Sequence, residues 1–254
     1  MKKQDLTALP AAWEFYFCSI EKHPASIMVD LAWEEFAPVR GHAELVEVEL
    51  LLLSPDGDGL SDTSEAPRLF AMEDQLAAGM AKSLNAWYVG RLTGKGKRVF
   101  YFYTPTSMDI SHAVDATLED FPEYNWLVKH QYDPEWTLYR ELLLPSEEEA
   151  HLIRNRRAFD ELARRGDTFS ARRPVNHQFT FPTQKQAESF LKKAGMGSIA
   201  YQTEPKDSGT TLTFSTTHAM MRAELDEITW DFAQLAKSCK GSYLGWRSEV
   251  VTFG

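Results

Sequence analysis

The chain has 254 residues, 43% of them hydrophobic and 12% aromatic, enough to bury a sizeable core in one or two domains. Its formal net charge of −10 is unevenly placed: residues 1–144 hold 12 Lys and Arg against 23 Asp and Glu, a net −11, whereas residues 145–254 hold 15 against 14, a net +1. A half at −11 repels phosphate backbones, which argues against direct binding of nucleic acid there, and no apolar run reaches the roughly 18 residues a membrane span needs.

Met1 to Pro10 carries Lys2 and Lys3, but Glu14 and Glu21 interrupt any apolar core of a secretory signal. Trp13 to Ile20 and Ser26 to Leu31 are short aromatic or β-branched runs that predict a hairpin joined through Glu21 to Pro24. His42 to Leu53 alternates Val46, Val48, Leu50 and Leu52 with Glu47 and Glu49, the period of a strand. Ser54 to Pro67 is a polar loop, after which Leu69, Met72, Leu76, Met80 and Leu84 keep the spacing of an amphipathic helix. Trp87 to Thr93 and Arg98 to Thr104 predict strands joined by a tight turn at Gly94 to Lys97. Ile110, Val114, Leu118 and Phe121 outline a second helix, and Trp126, Val128 and Tyr132 a strand before Pro134.

The clearest helix runs from Ser146 to Gly166. Ser146 with Glu149 forms a capping box, in which each side chain satisfies a free backbone donor of the first turn, and Gly166 marks the stop. Leu152, Phe159, Leu162 and Ala163 give it an apolar stripe, while Arg154, Arg156, Arg157, Arg164 and Arg165 crowd the remaining surface. Beyond it, Val175, His177, Phe179 and Phe181 alternate as a strand, and Thr183 caps a helix carrying Ala187, Phe190, Leu191 and Ala194. Met196 to Thr203 and Thr210 to Thr217 predict a hairpin turning at Lys206 to Gly209. Met221, Leu225, Ile228, Phe232, Leu235 and Cys239 mark a helix, and Tyr243 to Val251 the final strand.

Leaving the first hairpin aside, each half reads strand, helix, strand, strand, helix, strand. The expectation is an α+β protein of two tandem ferredoxin-like (βαββαβ) sandwiches, the first with an extra N-terminal β-hairpin, in domains 1–144 and 145–254 separated near Pro134 to Ser146. Phe159, Leu162, Phe179, Phe181, Leu225, Ile228, Phe232 and Trp246 are expected to share one core.

Little in the pattern points to catalysis. Asp56 to Asp62 has calcium-like spacing, but Leu60 and Ser61 stand where a ligand and a glycine belong and Pro67 replaces the closing glutamate. The seven histidines form no metal-ligand spacing, and Cys18 and Cys239 make neither a disulfide framework nor a metal quartet, which points to a reducing cytoplasm. His177 falls on the apolar face of its strand, where a hydrogen-bonded core histidine is the default. No catalytic residue, metal or cofactor is therefore assigned. Arg98 to Tyr103 places aromatics after a basic residue, as RNA-recognition sheets do. His42 to Leu53 brings no aromatic to match, so packing is the favoured use of these rings.

Arg156-Arg157-Ala158-Phe159-Asp160-Glu161-Leu162, Gly166-Asp167, Val175-x-His177 with Phe179 and Phe181, and Tyr243-x-Gly245-Trp246 together resemble the regulator of ribonuclease E activity B (RraB) family. Trp13-x-Phe15-Tyr16-Phe17, Pro24-Ala25-Ser26-Ile27, Asp58-Gly59-Leu60-Ser61 and Tyr88-Val89-Gly90-Arg91 resemble a bacterial family of unknown function, number six hundred and ninety-five of its kind. The regulator resemblance implies a non-enzymatic ferredoxin-like protein that binds ribonuclease E or another RNA-degradation factor and changes which RNAs are cut. Family members are acidic and usually carry an aspartate in the closing motif, where this half sums to +1 and has Leu244. The residues the resemblance offers for partner binding are Arg156, Arg157, Asp160, Glu161, Arg164 and Trp246. The competing classes are an enzyme with a site at the domain junction and an RNA binder using Arg98 to Tyr103.

Overall fold

The computed structural model describes residues 10–206 and 209–252. Met1 to Gln4 and the residues up to position 9, together with the tip of the turn expected at Lys206 to Gly209, lie outside the described residues. The chain divides into two compact units, Met1–Glu149 and Ala150–Gly254, each an α+β arrangement on its own antiparallel sheet. Among the described residues no helix is long and apolar enough to cross a membrane.

The first unit contains β1 (Trp13–Ile20), β2 (His23–Asp30), β3 (Glu44–Leu51), α1 (Ala66–Leu84), β4 (Trp87–Gly94), β5 (Lys97–Thr104), α2 (Ile110–Thr117) and β6 (Trp126–Tyr132). The strands lie in the order β1-β2-β4-β5-β3-β6 and every neighbouring pair is antiparallel. The first hairpin is tighter than the sequence suggested. Glu21 and Lys22 alone turn the chain, both at positive φ (50° and 67°), the twist a two-residue hairpin turn requires, so β2 starts at His23. On one face of the sheet Val46, Val48, Leu50, Phe100 and Phe102 pack against Leu69, Met72, Leu76 and Met80 of α1 and Val114 of α2.

Strand alternation sends the other residues of β5 to the opposite face, where aromatic residues pack on Tyr103. Trp136 stacks on Tyr103 with ring centroids 4.0 Å apart and donates through Nε1 to the His42 carbonyl at 2.7 Å. Tyr103 donates to Asp133 and Tyr139 to the Asp30 carbonyl. The stretch from Pro134 to Ser146 is thus a packed part of the first unit, with Trp136, Tyr139 and Leu143 fully buried. Arg98, Phe100, Tyr101, Phe102 and Tyr103 are all buried as well, which leaves no ring of β5 for a base to stack on and removes the RNA reading of this strand.

The second unit follows α3 (Glu147–Arg164) with β7 (Arg173–Phe181), α4 (Gln184–Lys193), β8 (Tyr201–Lys206), β9 (Gly209–His218), α5 (Arg222–Ser238) and β10 (Ser242–Arg247). The strand order is β10-β7-β9-β8, again antiparallel throughout. β8 begins only at Tyr201, because Gly195 at positive φ closes α4 and residues 196–200 turn before the strand. β10 stops at Arg247, short of the expected Val251. The expected core is present: Phe159, Leu162, Phe179, Phe181, Leu225, Phe232 and Trp246 are buried in one cluster, with Ile228 packed against it.

α3 turns inward a face only partly the one its apolar spacing suggests, and α5 buries the face its spacing marks, with Thr229 and Ala236 added to it. On α3 the buried residues are His151, Ile153, Asn155, Phe159 and Leu162, while Leu152 is half-buried and Ala163 exposed. On α5 they are Leu225, Thr229, Phe232 and Ala236, and Met221 is exposed.

Candidate functional site

α3 is the element that both presents and supports the candidate site. Its start is fixed by the predicted capping box: Ser146 N donates to Glu149 Oε2 at 2.7 Å and Glu149 N to Ser146 Oγ at 3.3 Å. Its end is fixed by Asp167. That carboxylate accepts from the backbone N–H of Phe169 at 2.7 Å and of Val251 at 3.0 Å, and pairs with Arg173 at 2.6 Å, both side chains almost wholly buried. Burial pushes the Asp167 carboxyl up, but the two backbone donors and the guanidinium outweigh it and hold it below the usual range. The Gly166-Asp167 pair therefore ties the helix end to the start of β7 and to the chain's last described stretch.

The inner face of α3 carries a polar seam. Asn155 donates through Nδ2 to Asp226 Oδ1 and to Thr229 Oγ1, each at 2.8 Å, and its Oδ1 accepts from Trp246 Nε1 at 3.0 Å. His151 Nε2 lies 2.8 Å from the same Thr229 hydroxyl. Burial, helped by Arg154, lowers the His151 imidazole to about 4, so it is neutral at pH 7. His177, on β7, is fully buried between two hydroxyls, Tyr243 Oη at 3.0 Å and Thr216 Oγ1 at 2.9 Å. Burial, with His218 nearby, lowers it to about 3. This is a satisfied core histidine, with both ring nitrogens engaged and the ring neutral near pH 7.

The outer face of α3 holds most of the residues the sequence singled out. Arg157, Asp160, Glu161 and Arg164 are exposed and Arg156 is half-buried. Arg164 and Glu161 pair at 2.7 Å in the open, an interaction worth little in stability. Trp246 differs from them: it is 7% exposed, sits edge-on to Phe159 at 5.3 Å and spends its indole N–H on Asn155. A cleft of about 370 Å3 brings Glu161 and Trp246 together, with Leu162, Arg165, Arg247 and Ser248 completing its wall. Arg165 belongs to the arginine-rich surface read from the sequence, whereas Arg247 was not singled out. Arg165 lies four residues beyond Glu161 on the helix and Arg247 directly follows Trp246, so helical spacing and the closing motif carried the signal. Among the described residues no group of three His, Cys, Asp or Glu side chains could hold a metal ion.

The folds and this site define a two-unit α+β protein with a charged, cleft-bearing helix face. Residues 11–144, more than half of the chain, match the model of the family of unknown function DUF695, and the chain belongs to that family. Residues 152–248 match the model described as regulator of ribonuclease activity B, a regulatory family. Both matches fall on the halves where the sequence resemblances lay. No curated protein matches the chain. Among solved structures, a protein of unknown function from Galdieria sulphuraria aligns at 10% identity and a TM-score of 0.23, over 82% of this chain and 99% of its own. A protein described as a glycine cleavage system transcriptional repressor aligns at 6% identity and a TM-score of 0.22, over 82% of this chain and 98% of its own. At those scores neither bears on fold or function.

Proposed function

We propose that this chain is a non-enzymatic cytoplasmic regulator that binds ribonuclease E or another factor of RNA degradation through its C-terminal domain, residues 145–254, with residues 1–144 as an acidic accessory domain. The observation that carries the reading is the match of residues 152–248 to the regulator of ribonuclease activity B family. Strand order supports the finer fold reading. Numbered within each unit, and with the first hairpin set aside, both sheets run 4-1-3-2 with helices following the first and third strands, the order of a ferredoxin-like sandwich.

The partner surface we assign is the outer face of α3, Arg156, Arg157, Asp160, Glu161 and Arg164, continued by the cleft beside Trp246. Its support is physical: these charges are spared from the core, while the cleft offers an apolar floor of Leu162 and Trp246 under a rim containing Arg165 and Arg247. The test is direct binding of the full chain to ribonuclease E together with cleavage of a mixed RNA substrate pool. Cleavage of part of the pool should change in proportion to added protein, and the Arg157→Glu, Arg164→Glu double variant should lose the effect. Unchanged cleavage across a large protein excess, with no binding, would end the ribonuclease reading and leave the family memberships standing.

A further inference from the structure

In the first unit a cleft of about 550 Å3 lies beside α1 and the β1–β2 hairpin, walled by Trp13, Met28, Phe70, Ala77 and Tyr88, with the exposed Asp74 at its edge. One backbone irregularity builds its base. Tyr88 and Arg91 are three residues apart and would point to opposite faces of a regular strand. A bulge between Tyr88 and Gly90 shifts the register, so that Tyr88 pairs with Phe102 and Arg91 with Phe100, both on the helix-covered face. Glycine is required there, since a Cβ at Gly90 would stand 2.6 Å from the Met28 carbonyl oxygen. The Tyr88-Val89-Gly90-Arg91 motif thus delivers a hydroxyl and a guanidinium to the same carboxylate. Glu73 accepts from Tyr88 Oη at 2.7 Å and faces Arg91 Nε at 2.8 Å, each charged side chain only 8% exposed.

The buried pair neutralises itself, so among the lining residues the uncompensated charge is Asp74. Around it stand large rings partly left in solvent: Trp13, which packs on Tyr88, is 39% exposed, and Phe70, whose ring centroid lies 5.7 Å from the Arg91 guanidinium, is 50% exposed. Phe17, four residues along β1 from Trp13 and on the same side of the strand, is 64% exposed and extends this apolar surface beyond the cleft. Ring faces beside a carboxylate attract a cation carried on an apolar stem, and a domain at −11 raises the local concentration of such groups.

We infer that this cleft receives a cationic side chain, arginine or lysine, presented by an extended basic segment of a partner protein. The stem lies against Trp13 and Phe70, the head group meets Asp74, and flanking residues run over Phe17. This site is in the other unit from the ribonuclease surface and does not rest on it.

The test titrates the full chain, followed by NMR shifts, with acetyl-Gly-Arg-Gly-Arg-Gly-amide, its glutamate-for-arginine counterpart and n-butylguanidinium. The arginine peptide should bind, weaken with added salt and outcompete the other two. Asp74→Asn and Trp13→Ala should each weaken it on the order of three- to tenfold. Phe70→Ala, at a half-exposed helix position, serves as a third variant should Trp13→Ala perturb the hairpin. Equal binding of the glutamate peptide, no binding, or indifference to these substitutions would overturn the proposal. Butylguanidinium binding as tightly as the peptide would overturn the assignment to a partner segment.

Discussion

Asn155 on α3 and Trp246 on β10 are locked together by a 3.0 Å hydrogen bond from the indole N–H to the amide oxygen, with both side chains out of water. The same amide reaches Asp226 and Thr229 on α5, so one side chain holds two helices and a strand in register. Asn155→Ala leaves two buried partners, Thr229 and Trp246, and the partly exposed Asp226 without it. The expected loss is about 2 to 4 kcal/mol from the unfolding free energy of the second unit. Chemical denaturation followed by tryptophan fluorescence measures it, and a loss below about 1 kcal/mol would show that water replaces the amide.

Burial of neutral histidines makes the second unit acid-sensitive. The folded-state values of His151, about 4, and His177, about 3, lie below the unfolded value near 6.5. Between those limits the unfolded chain binds more protons, so stability is full above pH 6.5 and falls as pH drops through 6 and 5. Each histidine should cost about 2 kcal/mol between pH 7 and pH 5. Denaturation midpoints measured across that range should fall steadily, and His177→Gln should flatten the slope by about half. An unchanged slope in that variant would place the acid response elsewhere.

The seam that Asn155 and His151 form also explains what the sequence did and did not reveal. Strand runs such as Val175 to Phe181 and β5 were legible because Val175, Phe179 and Phe181 alternate on the first and the second is an almost unbroken apolar run, with His177 and Arg98 the polar exceptions on their buried faces. The capping box at Ser146 and Glu149 was legible because it is local. The polar residues on the inward faces of α3 and α5 were not, because His151 and Asn155 on one and Thr229 on the other stand where the pattern expects apolar ones. Those residues hydrogen-bond to one another across the helix pair, contacts that become visible only when both helices are in place. Likewise Trp136 and Tyr139 looked like linker residues beside Pro134, since single aromatics carry no period, yet both are fully buried and Trp136 stacks on Tyr103. Of the candidate site, the charged face of α3 and the place of Trp246 in the core were legible, while the hydrogen bond that spends its indole N–H on Asn155 was not.

The bulge at Gly90 gives the first unit its own test. Gly90→Ala forces a methyl group against the Met28 carbonyl oxygen, 2.6 Å away, and Leu143 is the next atom met, so β2 or β4 must shift. The cost should be about 1 to 3 kcal/mol, the range for overpacking a close contact. Calorimetry should show the first unit's transition moving down while the second unit's stays. Retention of both transitions would mean that the strand pair can open without loss.

Charge reversal on α3 separates recognition from folding. Arg157 and Arg164 are exposed, and the Arg164–Glu161 pair is side-by-side on one helix in full solvent, where screening and side-chain entropy cancel most of its attraction. Replacing both arginines with glutamate should therefore leave the unfolding midpoint where it is, since neither contributes to the buried seam of His151, Asn155 and Thr229. A partner that reads this face would respond differently. Rim charges act chiefly on the rate of encounter, so association should slow and its dependence on salt should change, while dissociation is barely altered. Surface plasmon resonance against ribonuclease E at two salt concentrations distinguishes these effects. If the double variant associates at the parental rate at both concentrations, the outer face of α3 is not the contact surface, whatever the effect on cleavage.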